Sequence, residues 1–169
     1  NFATIVAAVR EGRRIFDNLQ KSMAYIVAVH VPLAGMSLIP VLLGWPLILL
    51  PVHVVFLELV IDPACSIAFE VEPPESDVMR RPPRRRDAPL IGGRLLLFSL
   101  LAGTSLLVAD LAIYAVARMG SLPEPAARGL AFTALVMGNL TLIQLSRSFS
   151  QSMLRSMRVP NRPAWAVTL

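Results

Sequence analysis

Four apolar runs, separated by short turn-forming or strongly charged stretches, set the outline of this chain. They cover about Met23 to Leu43, Leu47 to Phe69, Leu95 to Ala117 and Gly129 to Leu145. Each approaches the ~20 residues that a helix needs to cross a bilayer. Gly44-Trp45-Pro46 separates the first two and is so short that they must form an antiparallel hairpin. The stretch Arg118 to Arg128, with Gly120, Pro123 and Pro125, makes a second hairpin. Asn161-Arg162-Pro163-Ala164-Trp165 reads as the start of a further segment.

The N-terminal stretch has a different pattern. Ile5 and Val9, then Phe16, Leu19, Met23 and Ile26, recur at helical steps with Arg, Glu, Asp and Lys between them. No Gly or Pro lies between Gly12 and Pro32. A single helix through this stretch and the first span extends roughly 60 Å at 1.5 Å per residue, about twice the hydrocarbon thickness. The expectation is a stalk (residues 1–22) projecting into the cytoplasm, in preference to a helix lying on the membrane surface. Residues 23–147 then form a four-span membrane domain, and 148–169 a cytoplasmic tail with the start of another helix. The fold class expected is all-α, a polytopic transmembrane helical bundle with a cytoplasmic stalk.

Composition agrees. Apolar residues make up 55% of the chain, mean hydropathy is +0.63 and charged residues are 16%, against ~25% in soluble domains. The single cysteine, Cys65, excludes an internal disulfide or a multi-cysteine metal cage. No signal-peptide pattern is visible at the N-terminus. The sequence pI of about 10.6 raises nucleic acid as a partner. That reading is set aside, because the arginines sit at the ends of apolar runs with few aromatics among them; the partner expected is the lipid bilayer.

Those arginines orient the chain. Arg10, Arg13, Arg14 and Lys21 precede the first span. Arg80, Arg81, Arg84, Arg85, Arg86 and Arg94 lie between the second and third, and Arg147, Arg155, Arg158 and Arg162 follow the fourth. Only Arg118 and Arg128 fall on the other side. The positive-inside rule makes the N-terminus, the 70–94 loop and the C-terminal tail cytoplasmic, with Trp45 an outer interfacial anchor. The preference for arginine over lysine points to a GC-rich bacterial source.

The second span carries the candidate chemistry. Glu58 and Asp62 lie four residues apart inside an apolar run and share one helix face. A charge at the bilayer centre costs roughly 2.5–3.5 kcal/mol even on insertion scales, and the default reason for one is an ion or proton pathway. Pro63 follows directly. It has no N–H to donate, and in an α-helix its ring collides with the Leu59 carbonyl. Carboxylates with freed carbonyls are the ligand set of hard cations. Pro32 and Pro40 in the first span similarly free the carbonyls of Ala28 and Met36, and His30 lies beside the first of these. Pro32 and Pro63 are the expected helix breaks. His53 reads as interfacial, Cys65 as packing, and Asp110 as a residue pairing with another helix or lying near the outer interface.

Three stretches resemble the C-terminal half of the membrane domain of P-type cation-transporting ATPases. Thr4-Ile5-Val6-Ala7-Ala8-Val9-Arg10-Glu11-Gly12-Arg13, continuing through Asn18, is similar to the family's link into the fifth transmembrane helix. Leu50 through Asp62 resembles the sixth helix. Glu72-Pro73-Pro74-Glu75-Ser76-Asp77-Val78-Met79-Arg80-Arg81-Pro82-Pro83-Arg84 resembles the loop after it, and is the most specific of the three. The resemblance covers nearly the whole chain and makes the four spans the family's fifth to eighth helices. It implies that Asp62 is a ligand of the transported ion. Glu58 stands where calcium pumps have asparagine, and an acid there is more like the sodium–potassium and proton–potassium pumps. Leu33 and Ile61 replace further calcium ligands, and His30 replaces an asparagine. On the last span, Met137-Gly138-Asn139 implies a register with Val136 at the calcium pumps' glutamate and Asn139 one turn away.

The resemblance thus implies a cation site built from Glu58 and Asp62 (the metal-binding pair), with His30 and Asn139, for a cation other than calcium. ATP and Mg²⁺ would act in a phosphorylation domain outside this chain, which has no Asp-Lys-Thr-Gly motif. The remaining helices and cytoplasmic domains of the pump would be its partners, and the cell membrane its location. A stand-alone channel or carrier, and a noncatalytic membrane scaffold with Glu58 and Asp62 as polar glue, are the alternatives.

Overall fold

The computed structural model describes residues 1–84 and 89–147, with only the backbone of Ile61, Asp62, Ala64 and Cys65. The 148–169 tail therefore lies outside the described residues. The described secondary structure is helical: α1 (Phe2–Leu42), α2 (Pro51–Phe56), a π-helical segment (Leu57–Ile61), α3 (Asp62–Glu70), α4 (Gly93–Met119) and α5 (Glu124–Ser146). α1, α4 and α5 are each long and apolar enough to cross a membrane. α2, the π segment and α3 follow one another without a gap and make the second limb of the first hairpin.

The elements begin and end where local chemistry directs. The Asn1 side chain caps α1 by accepting from the Ala3 N–H at 3.1 Å. α1 stops at Leu42, and Gly44 then adopts φ 65°, a left-handed conformation suited to glycine. Pro51 opens α2, where its missing N–H costs nothing. α5 starts a turn earlier than the apolar run, at Glu124, with Pro125 in its first turn.

α4 packs against both α1 and α5, which also touch each other. Its adjacent leucines splay into glycine notches on both neighbours: a methyl group at Gly35 of α1 would collide with Leu107, and one at Gly138 of α5 would collide with Leu106. One apolar cluster joins Tyr25, Ala28 and Val29 of α1 to Ala68, Phe69, Leu142 and Ile143. A second joins Met36, Ile48, Leu49 and Leu57 to Tyr114, Ala131 and Leu135.

The expected break at Pro32 requires correction. α1 runs through Pro32 and Pro40 as one 41-residue helix, and both prolines are buried on its packing face. The carbonyl of Ala28, which Pro32 leaves without an intrahelical donor, is covered by the backbone of Gly103 on α4, where any β-carbon would strike that oxygen. Close cover by a glycine Cα–H is the kind of weak contact that softens the loss of a carbonyl's hydrogen bond. Near Pro63 the helix changes hydrogen-bond register in place of breaking.

Candidate functional site

The π segment carries Glu58 and leads directly into Asp62 and Pro63. In an α ladder the N–H of residue 63 would serve Leu59, and in a π ladder it would serve Glu58. Proline serves neither, so one carbonyl beside Glu58 has no backbone donor. Single π turns inside α-helices recur at functional sites.

Across from it, α1 presents His30. Its Nε2 lies 3.6 Å from Glu58 Oε1, and its Nδ1 lies 2.8 Å from the Ile26 carbonyl oxygen. A carbonyl can only accept, so that contact fixes the ring with Nδ1 protonated and turns Nε2 toward the carboxylate. Both side chains are about half exposed on this chain, at 49% and 43%, which leaves room for further ligands. The backbone places Asp62 one turn beyond Glu58; its side chain is not described. Asn139 sits on α5, 1% exposed, with its Oδ1 unbonded, and no described hydrogen bond links it to His30 or Glu58. Among the described residues, no three His, Cys, Asp or Glu side chains converge on one point.

Other residues singled out from the pattern settle elsewhere. His53 stacks on Phe132 of α5 with ring centroids 4.4 Å apart. Its Nδ1 lies 3.3 Å from the Leu50 N–H at the start of α2. Trp45 packs half-buried against Tyr114, centroids 5.9 Å apart. Asp110, expected to pair with another helix or to lie near an interface, is 1% exposed with neither oxygen hydrogen-bonded.

A polar clasp that the periodicity did not reveal joins the loop after α3 to α1. Lys21 Nζ lies 2.9 Å from Glu75 Oε1, with both side chains buried. Arg13 donates to the carbonyls of Val78 and Arg81, each at 2.8 Å. Asn18 donates to the Glu72 carbonyl at 2.8 Å, and Gln20 to that of Leu90 at 2.6 Å. Arg81 bridges Asp17 and Asp77 at 2.8 and 2.6 Å. Its guanidinium holds the Asp77 carboxyl below the usual carboxylate range, while Arg81 itself is raised, first by Asp77 and then by Asp17. The Arg84 guanidinium sits 3.8 Å above the Phe16 ring. Arg147, at the end of α5, reaches Glu72 at 3.0 Å and is fully buried. The available signal was the Glu72–Glu75 spacing in a loop facing stalk cations at helical steps.

Apolar helices packed side by side, with charge gathered at one end and carboxylates inside one limb, define a multi-pass helical membrane protein. Residues 46–169 match the family described as "Cation transporting ATPase, C-terminus", and the chain belongs to that family. It is 42% identical over 104 residues, 62% of its own length, to a protein of Aspergillus fumigatus named "Endoplasmic reticulum calcium ATPase srcA". The match spans 11% of that relative's length. The relative is eukaryotic, so it lends no support to a bacterial source.

Proposed function

We propose that this chain is the cation-binding and translocating membrane portion of an ATP-driven P-type pump, with Glu58 and Asp62 as the principal ligands and His30 beside them. The observation that carries this reading is the approach of His30 to Glu58 at 3.6 Å, at the π segment that leads into Asp62, in a chain of the cation-transporting ATPase family. Two ligand atoms of one bound ion, each ~2.1–2.4 Å from it, sit at about this separation. Asn139 is the candidate fourth member, reached from α5. The domain plan is a stalk over 1–22, four spans within 23–147 and a tail over 148–169, with the 70–94 loop cytoplasmic. ATP and Mg²⁺ act in a separate phosphorylation domain, and α1 carries its movement to the site.

The cation proposed is not calcium, although the fungal relative is named for calcium. Leu33 and Ile61 offer no ligand oxygen on their side chains, and Glu58 adds a charge. In the full-length protein, Glu58→Gln and Asp62→Asn are each expected to abolish cation-stimulated ATP hydrolysis, assayed across a panel of mono- and divalent cations. Stimulation that survives in both variants defeats the assignment. A panel in which calcium alone stimulates would keep the pump and remove the exclusion of calcium.

A further inference from the structure

Asp110 is the most costly unexplained residue in the bundle. It lies inside α4, 1% exposed, and neither carboxyl oxygen has a hydrogen-bond partner. Tyr114, four residues on and on the same face, is fully buried with its hydroxyl also unpartnered. Buried polar groups are nearly always satisfied, and each exception calls for a specific reason. An isolated ionised carboxylate in such surroundings is the least tolerable of them.

The surroundings narrow that reason. Tyr114 belongs to a cluster with Met36 of α1, Ile48 of the first turn, and Ala131 and Leu135 of α5. Among the described residues, the titratable side chains nearest this half of α4 on the packed elements are accounted for elsewhere. His30 on α1 faces Glu58, and His53 on α2 stacks on Phe132. Arg128 on α5 is paired with Glu124 and bonded to the Leu47 carbonyl. Arg118, further along α4, is exposed. Because Asp110 is 1% exposed within this chain alone, another helix cannot reach it unless part of this chain moves aside. A metal cation of the calcium class wants six or more oxygen ligands, and one carboxyl with one phenol does not approach that number.

We propose that Asp110 and Tyr114 form a second ion site, separate from the Glu58–Asp62 region, whose ligand is a proton. The chemistry is the simple addition of H⁺ to the carboxylate, giving a neutral acid. That acid gains one O–H donor, and the Tyr114 hydroxyl can both donate and accept, so the two groups satisfy each other directly or through one water. The site lies in the half of α4 nearer the Gly120 turn, the outward half under the orientation proposed above. Opening of the seam between α1, α4 and α5 exposes it for loading and release.

The test uses the full-length protein in membrane vesicles. Difference infrared spectra between wild type and Asp110→Asn at neutral pH should show loss of one protonated-carboxyl C=O band, one that shifts in D₂O. Tyr114→Phe should keep that band and move its frequency, which guards against an Asp110→Asn variant that fails to fold. ATP-dependent proton movement, followed with a pH dye and normalised to ATP hydrolysed, should be lost in Asp110→Asn. Loss of a carboxylate band in place of an acid band overturns the proposal, as does proton movement equal to wild type. If wild type shows no cation-stimulated hydrolysis, the pump reading fails, and the infrared comparison still decides the proton site.

Discussion

Gly103 of α4 lies against the carbonyl oxygen of Ala28 on α1, the oxygen that Pro32 leaves without a helical donor. The contact allows α1 to remain one helix through a buried proline. It also makes residue 103 intolerant of any side chain, because the obstacle is backbone and cannot rotate away. Gly103→Ala is expected to push α1 and α4 apart and to destabilise the bundle by about 1–3 kcal/mol, the range of overpacked cores. A thermal-denaturation series in detergent checks this. Gly12→Ala, where nothing crowds the added methyl, is the control that should leave the midpoint in place or raise it.

Lys21 and Glu75 pair at 2.9 Å with 1% and 3% of their side chains exposed. Breaking a buried pair from one side costs about 3–5 kcal/mol, whereas replacing both members by apolar groups can be nearly neutral. Lys21→Met and Glu75→Leu should each lower the denaturation midpoint strongly, and the double variant should recover much of the loss. If the double variant loses the sum of the two single effects, the pair is not acting as a unit.

That clasp marks where pattern reading stopped. The extent of α1, the two hairpins, and the placement of α4 and α5 follow from apolar runs and turn residues, and all are present. The stalk's apolar steps misdirect, however: Ile5, Val9 and Leu19 are exposed on this chain, while Asp17, Asn18 and Lys21 are buried. Periodicity finds a buried face only when that face is apolar. Here its partners are charges and carbonyls from a loop more than fifty residues away, and pairing at that range has no periodic signature. The nearness of His30 to Glu58 was legible in kind, since a short turn brings the two limbs together. The π segment was not, because Pro63 requires a lost hydrogen bond without dictating which register absorbs it.

Acid should loosen one edge of the clasp. Asp77 is held below its ordinary range, chiefly by its hydrogen bonds to Arg81. A lowered folded value means that the contribution of this contact is present above the unfolded aspartate pKa of ~3.9. It is lost as pH falls through the lowered folded value. Hydrogen exchange of the 77–81 backbone should therefore show no dependence of its protection on this carboxyl between pH 7 and about 5. Protection should drop only in stronger acid. Asp77→Asn should show the weaker protection already at neutral pH, and an acid transition centred near pH 6 would assign it to some other group.

Pro63 and the π segment offer the sharpest probe of the cation site. Alanine at 63 restores an N–H, so the ladder through 57–61 can return to α geometry and the penalty of an internal proline, ~3 kcal/mol, is relieved. Removing a one-residue register shift turns one side of the helix relative to the other by about 100°, given 3.6 residues per turn. Glu58 would then leave the position 3.6 Å from His30. Pro63→Ala is thus expected to raise the thermal midpoint while weakening the response to the transported cation about tenfold or more, equivalent to about 1.4 kcal/mol. Both are read on the same full-length preparation, the second as the cation concentration giving half-maximal ATP hydrolysis. A stabilised variant with unchanged cation dependence would mean that the π register does not position Glu58. Lower stability together with weaker cation response would instead mean that the freed carbonyl, and not the proline, is what the neighbouring helices are built around.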